Sequence, residues 1–60
     1  MKKAAKFIEK ELIDLDVNKE SMAWKHTFIN AIEAADSLTK DQLKRYIESQ
    51  ISYLPTSYFY

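Results

Sequence analysis

The sequence predicts an all-α domain of three helices, at about residues 2–14, 19–35 and 40–54, followed by a non-helical aromatic C-terminal tail. Three observations predict this. Apolar residues recur three and four apart through each of those stretches, the period of a helix with a buried side. Cap-forming residues stand at the breaks, and the only proline, Pro55, ends the last stretch. The composition, 47% hydrophobic and 30% charged, is that of a folded domain rather than a disordered tail. Sixty residues make one small domain, here residues 1–60. A chain of that size buries only roughly 60% of its unfolded surface, so its stability is marginal. With no cysteine to staple it, the fold must rely on well-matched helices or on association with another chain.

In the first helix, Ala4, Ala5, Ile8, Leu12 and Leu15 share one side of a 3.6-residue wheel. Phe7 lies on the flank of that stripe, and Ile13 lies off it. Residues 14–21, DLDVNKES, break the pattern with turn and cap formers, and Asn18 or Ser21 can cap the next helix. Asp14, Asp16 and Asn18 imitate the first ligands of a calcium loop. The imitation fails where Lys19 replaces the turn glycine and Lys25 the bidentate glutamate. The chain has no glycine at all, so the left-handed residues that end helices must be of another type; Asn18 and Asp36 are the expected ones.

The second helix carries Met22, Trp24, Phe28, Ile29, Ala31, Ile32 and Ala35 over nearly half its circumference. That is wider than one neighbour needs and makes it the central helix, contacted from two sides. Ala31, Ala34 and Ala35 would let another helix approach closely. Asp36 and Ser37 then lead into the third helix by a connection short enough to make the two helices neighbours. There Thr39 and Gln42 have the spacing of a capping box, and Leu38 and Leu43 that of a hydrophobic staple. Leu43, Ile47, Ile51 and Leu54 continue the apolar stripe until Pro55. The expected core is Ile8, Leu12, Met22, Phe28, Ile29, Ile32, Leu38, Leu43, Ile47 and Ile51.

Several function classes fall away. Without glycine there is no phosphate loop, dinucleotide fingerprint or nucleophile elbow. Nine basic and nine acidic residues cancel, which speaks against nucleic-acid affinity from bulk charge. No apolar run approaches the length of a bilayer span. The N-terminal lysines start like a signal peptide, but Lys6, Glu9, Lys10 and Glu11 interrupt any apolar segment, so a cytoplasmic location is expected. His26, the only histidine, falls on a polar sector of the second helix with no second strong ligand close in sequence. Glu33 and Asp36 read as a solvated edge. Trp24 and Phe28 read as core anchors. No catalytic residue, metal, cofactor or small-molecule substrate is expected.

What remains is a surplus of aromatics. Tyr46 and Tyr53 are seven apart on one flank of the third helix, and Gln50 sits inside its apolar stripe. Tyr58, Phe59 and Tyr60 crowd the tail. Large rings left in water and polar groups paired across a contact are features of interfaces. The expectation is therefore a non-catalytic protein–protein interaction module. It would be a small regulator or inhibitor that occupies the surface of another protein or of a second copy of itself, through Tyr46, Gln50, Tyr53, Tyr58, Phe59 and Tyr60. The alternative is a small helix-turn-helix-like DNA-binding protein using Lys40, Lys44 and Arg45, joined on the first helix by Lys2, Lys3, Lys6 and Lys10.

Overall fold

A computed structural model describes residues 2–60, with side chains from Ala4 onward. Three helices form: α1 (Lys2–Asp14), α2 (Met22–Ala34) and α3 (Lys40–Ile51). Each packs against the other two, so the N-terminal helix is docked. The radius of gyration, 10.6 Å, is that of a packed chain of this length.

The end of α1 sets the course of everything after it. Asp16 is the only residue with a positive φ among those described, at 64°. Its N–H donates to the Ile13 carbonyl at 3.0 Å, and the Val17 N–H donates to the Leu12 carbonyl at 3.1 Å. This pair of bonds is a Schellman motif, with Asp16 in the left-handed place that glycine normally fills. The motif's apolar contact is formed by Leu12 and Val17, both fully buried in the core. The left-handed residue is thus Asp16, and neither Asn18 nor Asp36 takes that conformation.

Asn18 has a different task. Its side-chain oxygen accepts from the Glu20 N–H at 2.9 Å, and its carbonyl accepts from both the N–H and the hydroxyl of Ser21. These bonds hold residues 18–21 in a turn, so α2 begins at Met22 rather than at residue 19. Ser21 is the cap, accepting from the Trp24 N–H at 3.2 Å. At α3 the capping box forms as the spacing predicts. The Gln42 N–H donates to the Thr39 hydroxyl at 3.2 Å, and the Gln42 side chain accepts from the Thr39 N–H at 3.0 Å. Leu38 and Leu43 both join the core, as a staple requires. The helix ends at Ile51, three residues short of the expected limit. The residue before a proline is pushed out of the helical region, and the last turn unwinds ahead of Pro55.

The buried core comprises Ile8, Leu12, Val17, Ala31, Leu43, Ile47 and Ile51. Phe28 and Leu38 pack against it as half-buried residues. Three expected members lie outside: Met22 is 58% exposed, Ile29 49% and Ile32 38%. The side of α2 turned inward is instead Ala23, Thr27 and Ala31, all buried and spaced four apart. Small side chains there let α1 and α3 close on α2 from both sides. The aliphatic residues of α1 and α3 fill the interior, and the bulkier residues of α2 are left at its rim and outside.

After Pro55 the chain makes one 3-10 turn, Thr56–Tyr58, and is therefore not wholly non-helical. It then pairs with the α1–α2 connection. Val17 and Phe59 form an isolated antiparallel bridge, with the Asn18 N–H donating to the Tyr58 carbonyl at 2.8 Å and the Tyr60 N–H to the Asp16 carbonyl at 2.9 Å.

The strained residue yields a prediction. Asp16→Gly should raise stability by about 0.5–1 kcal/mol, a gain of several degrees in melting temperature for a domain this small. Asp16→Val, branched at Cβ, should lower it by at least as much. Thermal unfolding followed by circular dichroism reads both.

Candidate functional site

Successive residues of an extended segment point to opposite sides, and the docked tail follows that rule. Phe59 packs against the core, whereas Tyr58 (37% exposed) and Tyr60 (77%) stand outside. The Tyr60 hydroxyl accepts a hydrogen bond from the Lys19 N–H at 3.1 Å, which fixes the ring across the start of the α1–α2 turn. Lys19 itself reaches the Glu9 carboxylate at 4.0 Å and lies 5.9 Å from the centre of the Trp24 ring. The tail therefore both closes the core, through one ring, and presents two others.

The second set of expected residues lies along α3. Tyr46 is half-buried against the core, and Tyr53, just beyond the helix end, is 89% exposed. Gln50 is only partly buried, and its side-chain oxygen accepts from the Asn30 amide at 3.2 Å. That bond ties α3 to α2 and explains a glutamine in an apolar stripe without any partner molecule. Of the six residues expected to meet a partner, Phe59, Tyr46 and Gln50 thus have work within the fold. Tyr53, Tyr58 and Tyr60 are the ones turned outward. None of the eight aromatic residues is fully buried: Phe7, Trp24, Phe28, Tyr46 and Phe59 are half-buried, and the other three are exposed.

The basic residues are less concentrated. Lys40 lies 5.9 Å from the Phe7 ring centre and covers that ring. Lys44 and Arg45 are exposed, but as sequence neighbours they diverge by about 100° around the helix. Asp41 and Glu48 fall on the sector between them, so phosphates approaching there would meet carboxylates as well. Lys6 and Lys10 are exposed on α1. The side chains of Lys2 and Lys3, expected on the same surface, lie outside the described residues.

One feature the sequence reading missed is the outer side of α2. Met22, Ile29 and Ile32 are exposed there, alongside exposed Lys25, His26, Glu33 and Asp36. Ile32 continues into an open groove of about 300 Å³ lined also by Ala4, Glu33, Ala35 and Asp36. The signal was present in the breadth of the apolar pattern on this helix. Among the described residues, no group of three or more His, Cys, Asp or Glu side chains could hold a metal ion. No helix among them is long and apolar enough to cross a membrane. No family model matches the chain, and neither a curated protein nor a solved structure matches it.

The ring that closes the core and a ring that stands outside it are separable by mutation. Phe59→Ala should cost about 2 kcal/mol, less than the roughly 3–5 kcal/mol for removing a fully buried core ring, because this ring is only partly buried. Tyr53→Ala should change stability by less than about 0.5 kcal/mol, as for other exposed positions. Urea unfolding monitored through Trp24 distinguishes them.

Proposed function

We propose that this protein is a non-catalytic protein–protein interaction module, a small cytoplasmic regulator or inhibitor that works by covering part of another protein's surface. The observation that carries the reading is the state of its exposed tyrosines. Tyr60 is held by backbone pairing on one side and a bond to its hydroxyl on the other, yet leaves 77% of its surface in water. Tyrosine offers broad apolar area with a polar tip, and a ring already fixed loses little rotamer freedom on binding. Such rings are the usual energetic anchors of interfaces. Tyr53 and Tyr58 would extend the contact.

The DNA-binding reading draws on Lys44 and Arg45, exposed on a capped helix that follows a short connection. The carboxylates between them weigh against it. Absence of retention on DNA at about 50 mM salt, where non-specific affinity is strong, would remove it, and Lys44→Glu with Arg45→Glu should abolish any retention found.

The interaction reading is tested with the double variant Tyr53→Ala, Tyr60→Ala, which spares Phe59. Affinity capture from the native cell, with the tag at the N-terminal end, should recover a partner with the original protein and lose it with the variant, whose melting temperature falls by no more than about 5 °C for the lost Tyr60 hydroxyl bond. Equal recovery by both would overturn the proposal.

A further inference from the structure

The outer side of α2 is ordered by charge as well as by exposure. Lys25 and His26 lie toward its N-terminal end, Glu33 and Asp36 at and just beyond its C-terminal end, and Ile29 and Ile32 between them. This order runs against the helix's own dipole, which favours acidic groups at the start and basic groups at the end. None of the four polar residues makes an ion pair among the described residues. Spacing within α2 offers no relief, because the positions four residues from Lys25 and Glu33 hold Ser21, Ile29 and Ser37. A monomer therefore carries an apolar strip with misplaced, unpaired charges at both ends.

An antiparallel second copy covers the apolar strip and pairs Lys25 with Asp36 at once. We propose that the outer side of α2 is a self-association surface on which two copies of this chain pack antiparallel about a twofold axis between residues 30 and 31. In such an arrangement the same patch serves both partners, and a residue on one helix faces its mirror position along the other. Lys25 then faces Asp36 of the second copy, because positions 25 and 36 lie equally far from the axis, as do 29 and 32. Ile29 and Ile32 meet each other in the middle. Each helix end lies beside the opposite end of its partner, so charges unfavourable in the monomer become favourable in the pair. The charge pattern selects a second copy of this chain over an unrelated helix, since only a self-paired surface needs opposite signs at equal distances from one point.

The size of the surface sets the strength of the contact. A helix of 13 residues presents a strip about 20 Å long and one helix wide, well below the area of a standard stable interface. The pair is therefore a weak dimer, with a dissociation constant on the order of 100 μM. It uses residues other than the exposed tyrosines and does not depend on their role.

Sedimentation equilibrium up to about 1 mM protein at low salt tests the proposal, since a dimer of that strength is then mostly formed. The mass should rise from 7.1 kDa toward twice that value and fall back as salt is added. Ile29→Glu should remain monomeric throughout, with circular dichroism confirming unchanged helicity. Lys25→Glu alone and Asp36→Lys alone should each weaken association at least tenfold, and the two combined should restore it to within about threefold, because the reversed charges again face one another. A wild-type mass fixed at that of the monomer would overturn the proposal, as would a combined variant no stronger than the single ones. Association lost on Tyr53→Ala with Tyr60→Ala but kept by Ile29→Glu would also overturn it, and would move the contact to the aromatic surface.

Discussion

The reversal of the chain at Asp16 is the constraint on which the remaining architecture depends. A chain without glycine has no conformationally free residue for ending a helix, so an aspartate adopts the left-handed backbone at a cost of roughly 1 kcal/mol. Three things follow from that one turn. Val17 is driven inward as a loop residue of the core. Asn18 and Ser21 are delivered to the place where they start α2. The backbone on either side of Val17 is left with a carbonyl and an amide that bond to the tail.

The interior that results is small and almost entirely aliphatic, apart from Thr27. Isoleucine, leucine and valine interlock at its centre, and alanines on α2 bring the helices close enough to seal it. Rings are too large for so narrow a space. They ring its edge instead, each with one side on the core and one toward water, or stand clear of it. No buried side-chain polar atom among the described residues lacks a hydrogen-bond partner, so stability is not traded for any polar device inside. Whatever chemistry the molecule presents lies on its outside. The outside offers two unlike surfaces: tyrosines near the tail, and an aliphatic strip edged by charge on α2.

Local signals in the sequence were legible where they were self-contained. The Thr39–Gln42 box and the Leu38–Leu43 staple need only residues within one turn, and both form. The stripe Ile8–Leu12 is equally local, because α1 has one apolar side and no competing choice. On α2 the choice was real. Apolar residues cover both its sides, and which side turns inward depends on how closely two other helices can approach, a property of the assembled core rather than of the segment. The same holds for Val17, which becomes core only through the Asp16 turn, and for Gln50, whose partner Asn30 stands on another helix. The surplus of aromatic rings could be counted in advance. Which of them would face outward depended on the pairing of residues 58–60 with a loop some forty positions earlier.

That pairing has a thermodynamic consequence for any molecule that grips the tail. The latch is slight: two backbone hydrogen bonds, one tyrosine hydroxyl and a single half-sunk ring. Peeling it away strands the Asp16 carbonyl and uncovers Val17, the residue that secures the end of α1. A ligand preferring the seated tail must tighten the first helix, and one preferring the freed tail must loosen it. By linkage, the packing of α1 feeds back on affinity by the same factor.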